Sequence, residues 1–169
     1  MILKIHEWEF SVNLTETMKY SAAEAAEHCT CAYCRNFYAS VDSKYPNLRP
    51  FLAQFGVDIE APAELSPYEP TVCACDYVVK GSILKSGREF MVDGALVYAM
   101  PFSDASVPSV LPEAENEKDW FVLCVRNLFL TWVLDEPMEE VISPANEPEF
   151  LEKMYRELLE SAEDQSLQS

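Results

Sequence analysis

A period-two alternation through the middle of this chain constrains its fold more than any other feature. Between residues 71 and 83, Cys73, Cys75, Tyr77, Val79, Gly81 and Ile83 take every second position. That is the repeat of an extended strand with one face turned to a core. A strand of such length needs neighbours, and the sequence supplies them. Ser86-Gly87 and Asp93-Gly94 are turn signals, so the chain is expected to return as an antiparallel meander through Val92 and Ala95 to Met100. Residues 120–125 and 128–134 read as further strands. Residues 2–14, with His6, Trp8, Phe10, Val12 and Leu14 on one face, read as the first. The stretch 101–118 is a polar, proline-containing loop, and 60–70, with three prolines and no periodicity, is a surface connection.

Helical signals lie outside this block. Ser21 and Glu24 have capping-box spacing ahead of Ala25 and Ala26. His28-Cys29-Thr30-Cys31 is a poor helical run by propensity, so a break is expected there. Helix resumes over residues 32–41, where Tyr33, Cys34, Phe37, Tyr38 and Val41 recur at helical spacing. Pro46 opens a short helix with an apolar stripe of Leu48, Phe51, Leu52 and Phe55, and Gly56 ends it. Pro148 sits where a first helical turn tolerates it, before a closing amphipathic helix bearing Phe150, Leu151, Met154, Tyr155, Leu158 and Leu159. Helices segregate from strands, which predicts an α+β fold: an antiparallel sheet with helices gathered mainly on one face. The length suits one domain over residues 1–162, with 163–169 as a disordered tail. Trp8, Phe10, Phe37, Phe51, Tyr77, Val79, Phe121, Leu123, Phe150 and Leu158 are the expected core.

The net charge of −17 bears on partners rather than on fold. More than half of the 29 acidic residues, but only a third of the 12 basic ones, lie beyond Pro112. With no basic stripe to displace counterions, nucleic acid and anionic membranes are disfavoured. A solubilising surface, or a face for a basic protein partner, fits the charge. The first residues lack a basic segment followed by an apolar one, and no window approaches the roughly 18 apolar residues of a membrane span. A cytoplasmic location is therefore expected.

Without a secretory signal, the cysteines point to metal or thiol chemistry before disulfides. Cys29, Cys31 and Cys34 crowd the segment between the first two helices, Cys73 and Cys75 form a second pair, and Cys124 stands apart. Zinc takes about four ligands at roughly 2.3 Å, and the Cys31–Cys34 spacing supplies two. Cys29 joins them only if the backbone is non-helical at Thr30: on a continuous helix Cys29 and Cys31 diverge by about 200°. His28, His6, Cys73 or Cys75 would complete the set. Cys31-Ala32-Tyr33-Cys34 also resembles the CPYC active-site motif of glutaredoxins, which implies a dithiol pair with a helix N-terminus favouring the first thiolate. A third reading is core packing, since free cysteine behaves as a small hydrophobe.

Other chemistry is sparse. GxxxxGK[ST], HExxH, GxSxG and GxGxxG are all absent. His6 shares a face with Trp8 and Phe10, as a packed strand residue does. Asp135, Glu136, Glu139 and Glu140 form an acidic turn that has the donors for a hard cation. The pattern Cys29-x-Cys31-x-x-Cys34-Arg35-Asn36-Phe37-Tyr38, followed by Phe51-Leu52, Gly56-Val57-Asp58 and Pro62-Ala63-Glu64, resembles a family of small uncharacterised bacterial proteins. That resemblance implies no catalytic residues. The expected function is a non-catalytic, acidic protein-binding or regulatory domain, with or without one structural zinc. The alternative is a thiol–disulfide oxidoreductase using Cys31 and Cys34.

Overall fold

The computed structural model describes residues 1–27, 29–69, 71–105, 111 and 116–138. Residues 1–139 form one compact unit. The expected closing helix and tail, with Phe150 and Leu158, lie outside the described residues, as do Glu139 and Glu140. The fold is α+β, with three helices and a seven-stranded antiparallel sheet.

The N-terminal alternation is a hairpin rather than one strand. Strands β1 (Ile2–Ile5) and β2 (Trp8–Val12) pair antiparallel, with Ile5 opposite Trp8 across a two-residue turn. His6 takes φ +52° there and its ring packs 4.7 Å from that of Phe90. Helix α1 (Leu14–Ala26) then starts earlier than the Ser21 capping box predicts. Its cap is Asn13, whose side chain accepts from Glu16 N–H at 3.2 Å, so the helix is already running at Ser21. Ser21 is instead buried, and its hydroxyl accepts from Asp58 N–H.

Helices α2 (Ala32–Lys44) and α3 (Leu48–Ala53) follow, and the expected break between α1 and α2 is present. The stretch read as a connection contains an edge strand, β3 (Glu64–Glu69). Pro67 is tolerated there because β3 pairs on one side only, with residues 72–76 of the long strand.

That long strand is β4 (Val72–Lys85). Its first part pairs with β7 (Trp120–Phe129), placing Tyr77 opposite Leu123 and Val79 opposite Phe121. Its last part pairs with β2. At the change of partner stands Gly81, at φ +152°, where a Cβ would lie 2.0 Å from the Ser11 carbonyl oxygen. Only glycine allows that approach. Strands β5 (Phe90–Val92) and β6 (Ala95–Pro101) turn at Asp93-Gly94, both with positive φ as a tight hairpin requires. The meander runs through β5, β6 and β7. It is β7, not β5, that lies beside β4, giving the order β1-β2-β4-β7-β6-β5. Residues 120–129 are one strand, with Asn127 at φ +58° absorbing the polar interruption; 131–134 are not extended in the sheet.

Two apolar clusters hold these layers. On the inner face, Phe37, Val41, Leu48, Phe51 and Leu52 from the helices, with Phe55 just beyond α3, cover Cys75, Tyr77, Val79, Phe121 and Leu123. Phe10 stacks on Phe121 at 5.2 Å and meets Phe55 edge-on at 5.2 Å. The Tyr77 hydroxyl donates to the Ile59 carbonyl at 2.9 Å, which satisfies the one polar atom this ring brings inside. The outer cluster contains Val78, Trp120, Val122 and Cys124 with Tyr20 of α1. Thus α2 and α3 share one face, while α1 reaches the other through Tyr20. All eight expected core residues that are described are buried.

Strand β7 offers an internal control on this packing. Phe121 is fully buried, whereas Phe129 on the same strand is 57% exposed. Phe121→Ala should cost about 3–5 kcal/mol in denaturant unfolding. Phe129→Ala should stay within about 0.5 kcal/mol. Equal effects would contradict the assignment of the core face.

Candidate metal centre

The site begins with a failure of helix. After α1 ends at Ala26, Cys29 and Thr30 are non-helical, and Cys31 is the extended N-cap of α2 (φ −63°, ψ 160°). Cys34 follows on the first turn of α2 and points inward, because the apolar stripe of that helix runs through Cys34, Phe37 and Val41. The consequence is convergence: the sulfurs of Cys29, Cys31 and Cys34 all lie within 4.8 Å of one another. Cys29 and Cys31 are exposed and Cys34 is buried.

The surroundings brace this turn. Arg35 Nε donates to the Thr30 carbonyl at 3.0 Å, fixing the residue between Cys29 and Cys31. The same guanidinium pairs with Glu136. Asn36, 4% exposed, uses both ends of its amide on the chain leaving β7. Its Nδ2 donates to the Thr131 carbonyl at 3.2 Å and its Oδ1 accepts from Val133 N–H at 2.8 Å. Tyr33 meets Trp132 edge-on at 5.7 Å, and Trp132 Nε1 donates to the Glu136 carbonyl. The first turn of α2 is therefore strapped to residues 131–136. Sequence reasoning missed this strap; the signal available was an amide side chain, Asn36, beside the apolar stripe of a helix.

The thiols of the turn differ in acidity. The Cys29 thiol lies below its ordinary range, first because Cys31 N–H donates to its sulfur, then because the thiols of Cys31 and Cys34 do. Burial pushes the Cys34 thiol up, and the neighbouring sulfurs add to that. Tyr38, one turn beyond Cys34, is pushed up to about 12 by burial and by the nearby sulfurs.

The remaining predicted ligands are elsewhere. Cys73 and Cys75 are buried on the inner face of β4, outside the three-sulfur group, and Cys75 is raised well above an ordinary thiol by desolvation. Cys124 is buried on the outer face and pushed up to about 12 by burial. His6 sits on the β1–β2 turn against Phe90, and His28 lies outside the described residues. Among the described residues no other group of three histidine, cysteine or carboxylate donors converges in this way, the acidic turn at Asp135 and Glu136 included. No helix among the described residues is long and apolar enough to cross a membrane. No family model, curated protein or solved structure matches the chain.

The donor chemistry fits a thiophilic ion. A tetrahedral zinc–thiolate centre needs sulfurs about 3.8 Å apart, which follows from bonds of roughly 2.3 Å.

Acidity and exposure together set an order of reactivity. In chelator-treated protein, Cys29 should be alkylated before Cys34, Cys75 and Cys124, because the thiolate is the nucleophile. Its lowered pKa moves the onset of reaction to lower pH than that of an ordinary cysteine. Peptide mapping after graded iodoacetamide treatment measures the order, and early labelling of Cys75 would contradict the placement of β4.

Proposed function

We propose that this chain is a non-catalytic, acidic interaction domain whose cysteine turn holds one metal ion, with zinc the ion best suited to it. The observation that carries this reading is the convergence of three sulfurs within 4.8 Å on the short segment joining α1 to α2. Thiolates on adjoining residues lose little further chain entropy when a metal draws them together. Binding to the folded state alone adds to its stability. The metal's role is structural in this reading: it fixes the turn between α1 and α2, where Cys29 and Thr30 are non-helical.

The charge supplies the partner class. A chain of net charge −17 associates fastest with a basic protein surface. Such an association should weaken as salt rises, and Glu139→Gln with Glu140→Gln should slow association more than it speeds dissociation. Binding indifferent to ionic strength would leave the charge with a solubilising role only.

A thiol–disulfide oxidoreductase is the second reading, and one observation favours it. Cys31 stands exposed at the N-cap position of α2, three residues before Cys34, the spacing of a dithiol pair. Against it, the partner thiol Cys34 is buried with its acidity suppressed.

Metal analysis separates the two. Purified full-length protein should carry close to one zinc per chain, lost in Cys31→Ser and in Cys34→Ser. Saturation at a hundred times Kd should stabilise the fold by about 2.7 kcal/mol. Protein free of zinc, with a Cys31–Cys34 disulfide that forms and reduces reversibly, would establish the oxidoreductase instead.

A further inference from the structure

We propose that Cys29, Cys31 and Cys34 form a binding site for a trivalent metalloid, in which one arsenic atom, delivered as arsenite, takes all three sulfurs. The inference goes beyond the zinc reading: it shares the convergence of the three thiols and is independent of which ion the protein carries.

Three observations carry it. The first is the number and spacing of the sulfurs, which lie within 4.8 Å of one another. An atom placed among them is at most about 2.8 Å (4.8 Å over √3) from each, against zinc–thiolate bonds of about 2.3 Å and arsenic–thiolate bonds of similar length. Trivalent arsenic is pyramidal, with three bonds and a lone pair. Three sulfurs therefore complete it, whatever further donors the rest of the chain holds.

The second is charge balance. Arsenous acid is uncharged at neutral pH and reacts as As(OH)3 + 3 RSH → As(SR)3 + 3 H2O. Three As–O and three S–H bonds break, three As–S and three O–H bonds form, and arsenic stays trivalent. Each hydroxyl leaves with a thiol proton as water, so no oxidant or reductant is consumed. The product is neutral, which suits a group whose inward member, Cys34, is only 7% exposed, because burying a charge is costly. A chain of net charge −17 repels anions but does not oppose an uncharged ligand.

The third is access combined with order. Cys29 and Cys31 are exposed, so a small ligand reaches the group without unfolding α2. The backbone around them is held in place. Arg35 Nε donates to the Thr30 carbonyl at 3.0 Å, and the Asn36 amide ties the first turn of α2 to Thr131 and Val133. A turn already braced gives up less entropy when one atom joins its three sulfurs.

The test is a titration of reduced, chelator-treated full-length protein with sodium arsenite, read by native mass spectrometry. The wild type should form a one-to-one adduct heavier by one arsenic less three hydrogens, with three thiols lost to a chromogenic thiol reagent. Cys29→Ser and Cys31→Ser change exposed positions outside the core. Each should give an adduct that keeps one hydroxyl on arsenic and binds about a hundredfold more weakly, since a tethered third donor is lost. No wild-type adduct, a wild-type adduct that retains a hydroxyl, or undiminished binding in both variants would overturn the inference. The zinc content of the protein before chelation is an independent result. Zinc without arsenite binding removes this inference and leaves the metal reading, and arsenite binding without zinc does the reverse.

Discussion

Strand β4 is the constraint on which the remaining structure depends. It is 14 residues long and serves three neighbours: β3 and β7 along its first part, β2 along its last. One strand can do this only if its backbone comes unusually close to β2 where the partner changes, and Gly81 provides that approach against Ser11. The same strand presents Cys75, Tyr77 and Val79 to the helices on its inner face. Because the side-chain period is two, a slip of one residue would send all of them to the other side. Helix positions follow from that register rather than setting it.

The cysteine turn inherits its position through α2. Phe37 and Val41 anchor the helix in the inner core, so its first turn is carried to the edge of the sheet. The chain entering that turn comes from α1, which is fixed separately by the Thr17 hydroxyl accepting from Lys80 N–H at 3.0 Å. Two helices held by independent contacts leave a short non-helical bridge between them. Three cysteines on and beside that bridge then have little choice but to meet. Asn36 and Arg35 tie the same turn to the chain beyond β7, so the cluster sits where two segments distant in sequence are tethered.

Legibility from sequence followed the strength of periodicity. The α+β class, the break between the first two helices, the Asp93-Gly94 turn and the core face of β4 were all readable, because each rests on a local pattern that tertiary structure did not override. Failures occurred where two local patterns competed. Trp8, Phe10 and Val12 continue the alternation of Ile2–Ile5 across a turn with no glycine, so a hairpin reads as one strand. Asn13 and Glu16 satisfy the capping pattern as well as Ser21 and Glu24 do, and the earlier pair sets the helix. Prolines hid β3, since an edge strand tolerates what a central strand forbids. The place of β7 beside β4 is a non-local pairing that no window of sequence contains. For the site, the three clustered cysteines were legible, but the burial of Cys73 and Cys75 away from them was not, because alternation fixes a face and not its distance from a loop.

Charge and the cysteine turn bear on each other through solvent. A thiolate cluster in the interior would be raised in pKa like Cys75 and would resist giving up its protons. Placing Cys29 at the surface, beside the Cys31 N–H and the thiols of Cys31 and Cys34, keeps its cost of ionisation low despite the acidic chain around it. Burying only Cys34 ties the group to the core without desolvating all three charges. The arrangement divides the work between one thiol that fixes position and two that remain accessible. That division distinguishes this turn from Cys73, Cys75 and Cys124, whose sulfurs are packed as apolar volume within the two cores.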